Sequence, residues 1–124
     1  MYSDVIVHTE MNWVLAMDDE AEYPILTVEK SQRMAAFFSV LGDANRWRIL
    51  SVLASGERPV GELAAMVEMS ESAVSHQLRI LRSSRLVQYR RQGRHVLYSL
   101  KDHHILNLYR DVSEHLDEPA DEGD

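Results

Sequence analysis

Residues 60–84, VGELAAMVEMSESAVSHQLRILRSS, decide the fold. Two short helical patterns meet at about Glu68 to Ser70, and Ser70 is suited to cap the second helix by accepting a backbone N–H. Two helices of this length joined by so short a turn predict a helix-turn-helix. On a wheel of about 100° per residue with Val74 at 0°, Leu78 falls near 40° and Leu81 near 340°, a single seam for burial. The opposite face carries Ser75 near 100°, Arg79 near 140°, Ser72 near 160° and His76 near 200° on the same scale of about 100° per residue. Short hydroxyls, an imidazole and a guanidinium let such a helix approach base edges and phosphates in a major groove. Any surface helix also carries polar residues, so the flanking chain has to discriminate.

Immediately downstream, LVQYRRQGRHVLYSL (86–100) sets Val96, Tyr98 and Leu100 in a period of two after Gln92-Gly93, which predicts two strands and a tight turn. Arg90, Arg91 and Arg94 surround Gly93 at the hairpin tip, with His95 beside them. A solubilising edge guarded by charge would account for some of these. Three guanidiniums on a projecting tip also suit a minor groove or a phosphate backbone. The expected fold is therefore mainly α with a small β-hairpin, a winged helix-turn-helix.

Upstream, Met34, Phe37, Phe38 and Leu41 recur at helical spacing from Val28 to Leu41, and Gly42 stops the pattern. Asp43 can cap a further helix, ANRWRILSVLASG, whose Trp47, Leu50, Leu53 and Ala54 share one stripe and which is expected to end at Gly56 before the turn ERP. Residues 102–118 predict a terminal helix. Residues 1–27 read as an acidic N-terminal arm, 28–118 as the winged helix-turn-helix and dimerisation domain, and 119–124 as an acidic tail. There is no internal repeat.

A net charge of −7 argues superficially against nucleic acid, but the charge is segregated. Residues 1–27 carry six acids and no Lys or Arg, and 102–124 carry eight acids against one base. Residues 72–101 carry seven bases and no acid. A local cationic segment gains affinity for a polyanion by displacing counterions condensed on its phosphates. Cysteine is absent, which excludes disulfides and thiolate metal sites and leaves His, Asp and Glu as metal ligands. No apolar run approaches about 18 residues and the N-terminus lacks a basic start, so neither a membrane span nor a secretion signal is expected, and the expected location is cytoplasmic.

DANRWRIL (43–50), GELAAMVEMSESAVSHQLRILRSSRLVQYRRQGRHVLYSL (61–100) and the histidine-bearing last helix resemble the ArsR/SmtB family of bacterial metal-responsive repressors. The similarity runs from about residue 30 to 118 and is most specific in SESAVSHQLRILR and QGRHVLYSL. The resemblance implies a homodimer that represses by binding double-stranded operator DNA at an imperfect inverted repeat, and that releases it when metal binds.

In DHHILNLYRDVSEHLDE (102–118), His104 and His115 are eleven positions apart. That is close to three turns, so both point the same way, roughly 16 Å apart at about 1.5 Å per residue, and one chain cannot bring them to one ion. His115 and Glu118 share a face, and Asp102 can reach His104 if it occupies the N-cap. A second copy packed antiparallel completes both half-sites, and two-fold symmetry makes two of them. The adjacent stripe Ile105, Leu108, Tyr109, Val112 and Leu116 could supply the interface. The spacing resembles the C-terminal helix site of the family's zinc sensors at Asp102, His104, His115 and Glu118, which implies Zn²⁺ as allosteric effector, two sites per dimer shared between protomers.

Two imidazoles and two carboxylates suit tetrahedral Zn²⁺, with Co²⁺ a plausible substitute, whereas Ni²⁺ favours more ligands. The family's cysteine site on the helix-turn-helix is missing, since GELAAMVE has no thiol. The expected function is a zinc-responsive repressor that is not an enzyme. A winged-helix regulator sensing Co²⁺, Ni²⁺ or a non-metal effector is the alternative. A zinc hydrolase is disfavoured, because no HExxH is present and four protein ligands leave no open position for water.

Overall fold

The computed structural model describes residues 23–120. The chain divides into two compact units, 1–35 and 36–124, a division that falls inside the first helix. The elements run α1 (Val28–Val40), α2 (Ala44–Leu53), β1 (Arg58–Pro59), α3 (Val60–Val67), α4 (Glu71–Ser83), β2 (Val87–Gln92), β3 (His95–Leu100) and α5 (His103–Asp117). In the first unit, residues 23–27 are exposed, and Thr27 starts α1 by accepting the Lys30 N–H at 3.1 Å. Most of the expected acidic arm, and residues 121–124 of the tail, lie outside the described residues.

The second unit holds the core. Asp43 caps α2 by accepting the Arg46 N–H. Ile49, Leu50 and Leu53 are buried there, while Trp47 and Ala54 sit at the margin. The expected stripe was therefore rotated: it left out Ile49, which has no exposed surface. With neighbours on two sides, the buried arc of α2 spans about 100° from Ile49 through Leu53 to Leu50. The helix also ends at Leu53 rather than Gly56, because the amides of Ser55 and Gly56 turn back to the carbonyls of Val52 and Leu53.

Both helices of the helix-turn-helix end in the same way. Glu68 follows α3 with φ 60°, its N–H bonded to Ala65 O and that of Met69 to Ala64 O. Arg85 follows α4 with φ 62°, its N–H bonded to Arg82 O and that of Leu86 to Leu81 O. These paired bonds form Schellman motifs built on non-glycine residues. Arg48 donates to Val67 O at 3.0 Å and satisfies one more terminal carbonyl of α3. Ser70 caps α4 as expected, accepting the Ala73 N–H at 3.1 Å.

The hairpin pairs β2 with β3 antiparallel from Val87↔Leu100 to Gln92↔His95, leaving Gly93-Arg94 as a two-residue loop. Gly93 has φ 65°, as the first central position of such a turn requires. The expected turn ERP holds a third strand: Arg58 and Pro59 pair with Tyr98 and Leu97, giving the order β1-β3-β2. Two residues carry no legible alternation, and Pro59 is tolerated because β1 is an edge strand.

Val74, Leu78 and Leu81 from α4 join Leu63, Ala64 and Val67 from α3, Leu86, Val87 and Ile105 in one cluster. Leu78→Ala should lower stability by about 2 to 5 kcal/mol through lost burial and the cavity left behind. In urea unfolding the midpoint should fall with the slope unchanged; an unaltered midpoint would remove Leu78 from the core.

Candidate functional site

Burial of Val74, Leu78 and Leu81 fixes the rotation of α4, and everything opposite that seam looks outward. Ser72, His76 and Arg79 are exposed and Ser75 is half-buried. Arg82, not singled out from the sequence, belongs to the same face: it falls near 80° on the same wheel of about 100° per residue, next to Ser75. Its guanidinium lies over the Tyr89 ring at 4.9 Å from the centroid, so it ties the helix to the hairpin. Ser75, Leu78, Arg79 and Arg82 line a cleft closed on its other side by Tyr98 of β3.

The three arginines of the hairpin are not equivalent. Arg90 makes a two-pronged ion pair with Glu57, Nε to Oε2 at 3.0 Å and Nη2 to Oε1 at 2.6 Å. The hydrogen bonds from Arg90 hold the Glu57 carboxyl below its ordinary value. The pair's contribution is therefore present above the usual Glu range and lost as pH falls through the depressed value. Arg91 and Arg94 are exposed and form no ion pair among the described residues. No signal in the basic segment could reveal this, because Glu57 stands 33 residues away.

On α5 the four expected ligands lie in two pairs, one at each end of the helix. Asp102 is the N-cap, its Oδ1 accepting the N–H of His104 at 3.0 Å and of Ile105 at 3.3 Å. Partial desolvation pushes its carboxyl up, but those two N–H bonds and the His104 imidazole outweigh that and leave it below the ordinary value, so Asp102 is ionised at neutral pH. His104 Nδ1 lies 3.6 Å from Asp102 Oδ1. At the other end, His115 Nδ1 lies 3.7 Å from Glu118 Oε1, and Glu118 is the C-cap. All four side chains are open to solvent. Among the described residues no three His, Asp or Glu side chains converge. His103 stacks on His104, ring centres 4.2 Å apart.

Tetrahedral Zn²⁺ with bonds of about 2.0–2.1 Å spaces its ligand atoms by roughly 3.3 Å. The separations in both pairs, 3.6 and 3.7 Å, are close to this, so the donor set and its spacing fit such an ion. Of the apolar stripe on α5, Ile105 is buried, Leu108, Tyr109 and Val112 are half-buried, and Leu116 is 75% exposed.

A helix-turn-helix followed by a basic hairpin defines the winged-helix class of DNA-binding proteins. Residues 43–89 match the family described as bacterial regulatory protein, arsR family. A transcriptional repressor SmtB homolog from Synechocystis sp. is 57% identical over 94 residues, covering 76% of this chain and 71% of that protein. The transcriptional regulator NmtR of Mycobacterium tuberculosis is 40% identical over 94 residues, covering 73% and 78%. Among solved structures, the homodimeric winged helix-turn-helix DNA-binding domain of a possible ArsR-family regulator from Mycobacterium bovis superposes with a TM-score of 0.69. It is 29% identical and covers 75% of this chain and 89% of that one. The chain belongs to the ArsR family of bacterial regulatory proteins. It is a winged-helix transcriptional regulator rather than an enzyme. No helix among the described residues is long and apolar enough to cross a membrane.

Glu57→Gln should free Arg90. If Arg90 then reaches a phosphate, affinity for duplex DNA of any sequence rises and the slope of log affinity against log salt steepens by about one unit. An unchanged slope in a salt titration by fluorescence anisotropy would take Arg90 off the DNA surface.

Proposed function

We propose that the chain is a zinc-responsive transcriptional repressor of the bacterial cytoplasm, where the DNA it regulates lies. It binds an imperfect inverted repeat in operator DNA as a metal-free homodimer and is released when Zn²⁺ is bound between the C-terminal helices of two protomers. The observation that carries this reading is the pair of half-sites at opposite ends of α5, Asp102 with His104 and His115 with Glu118. Each offers two ligands, and an antiparallel second helix brings the complementary two. The half-exposed stripe between them supports that packing, as does the homodimeric state of the Mycobacterium bovis domain. Repression is supported by the name of the Synechocystis relative.

On DNA, the outward face of α4 would enter a major groove, with Ser72, Ser75, His76 and Arg79 toward base edges and phosphates, and the hairpin with Arg90, Arg91 and Arg94 would reach the adjoining minor groove and its phosphates. A two-fold dimer sets two such helices about 34 Å apart, one helical turn of duplex. Bound Zn²⁺ would supply a crosslink between protomers, fixing one of the geometries the helix pair can adopt.

Contacts within the chain give α5 a hold on the reading head. Tyr109 packs on Trp47 of α2 at 6.5 Å between ring centres. From the same helix, Arg46 donates to Gln77 of α4 at 2.8 Å and to Val40 O at 3.0 Å. A shift of α5 is thus felt at α4 through packed side chains. Coupling of this sort is reciprocal, typically about 1 to 3 kcal/mol, so operator DNA weakens zinc binding by the factor by which zinc weakens DNA binding.

His104→Ala and His115→Ala should each retain metal-free DNA binding within a few-fold and lose zinc-driven release. Anisotropy with labelled operator during zinc titration measures both, and equal loss of the two activities would make the histidines structural. Titration of wild-type protein should show two zinc ions per dimer, and one per dimer would exclude symmetric shared sites.

A further inference from the structure

The cleft between α4 and the hairpin has walls that offer donors and no carboxylate. Ser75, Arg79 and Arg82 contribute from the helix and Tyr98 from β3, and residues 72–101 contain no acid. Arg82 is exposed and has no ion pair among the described residues, yet it is held, its guanidinium stacked on Tyr89. Tyr89 is itself backed by its cross-strand partner Tyr98, with ring centres 5.7 Å apart. A guanidinium stacked on a ring presents its edge N–H groups in a fixed plane, and a planar fork suits phosphate oxygens. The stack joins helix to hairpin and at the same time holds the guanidinium at the mouth of the cleft with its edge N–H groups free for a ligand.

The position of the cleft says which phosphate. A helix in the major groove and a hairpin on the neighbouring groove straddle the sugar-phosphate strand that separates the two grooves. That strand has to cross between α4 and the hairpin, and the cleft lies there. We propose that the cleft seats one phosphate of that strand. Arg82 is its principal contact, and Tyr89 is a positioning residue that fixes Arg82 and so sets the register of helix and wing on the duplex. The assignment rests on the DNA-binding reading, extends it to two residues outside the recognition face read from the sequence, and is independent of zinc.

The test is a salt titration of full-length, metal-free protein on two duplexes, one of random sequence and one selected by the protein from a random pool. Arg82→Gln should weaken both by a similar factor, about tenfold near physiological salt, and flatten the log–log salt slope by about one unit. Tyr89→Leu leaves the charge but not the platform: affinity should fall a few-fold on both duplexes with the slope kept. Arg82→Lys, which keeps charge without the planar fork, should behave like Tyr89→Leu and covers the case in which the glutamine variant does not fold. A slope unchanged by Arg82→Gln, or unchanged by Arg82→Lys together with wild-type affinity, overturns the proposal. So does a loss confined to the selected duplex, which would make Arg82 a base reader. Wild-type protein that binds neither duplex overturns the DNA-binding reading and this proposal together.

Discussion

The buried seam of α4 is the constraint on which the rest depends. Val74, Leu78 and Leu81 have almost no exposed surface. A helix held along one stripe can neither rotate nor slide without exposing three large apolar side chains, each worth about 1.5 to 3 kcal/mol of burial. Rotational locking turns a polar face into an instrument, because Ser72, Ser75, His76, Arg79 and Arg82 then occupy fixed directions. The helix termini add to the lock through Ser70 at one end and the left-handed Arg85 at the other. Arg85 also redirects the chain into β2, so the stop of the reading helix and the start of the hairpin are one event.

Asp102 shows how local folding and the proposed metal binding draw on the same carboxylate. As N-cap it satisfies two backbone donors of α5, and the extended backbone it adopts sets its carboxylate beside His104. A residue inside the helix two positions before His104 would point to another face. The capping geometry thus sets Asp102 beside His104, a pairing that helical periodicity forbids. At the far end His115 and Glu118 need no such device, being a natural i, i+3 pair.

Charge in this molecule is a matter of placement. An acidic chain keeps one cationic segment, and folding then edits it: Arg90 is turned to Glu57, Arg82 is held on Tyr89, and Arg91 and Arg94 are left in solvent. The number of basic residues overstates what is free for a polyanion, because Arg90 is engaged by Glu57, which lies outside the cationic segment.

From sequence alone, the helix-turn-helix, its Ser70 cap, the seam of α4, the hairpin turn at Gly93 and the placing of His104 and His115 at opposite ends of α5 were all legible. Each follows from spacing along one element, where periods of 3.6 and 2 convert position into direction. The rotation of α2 around Ile49, the strand Arg58–Pro59, the Arg90–Glu57 pair and the Arg82–Tyr89 stack were decided only in the tertiary structure. Their partners are brought together by packing between elements distant in sequence or facing across a turn, and no local period encodes which side chain will be found there.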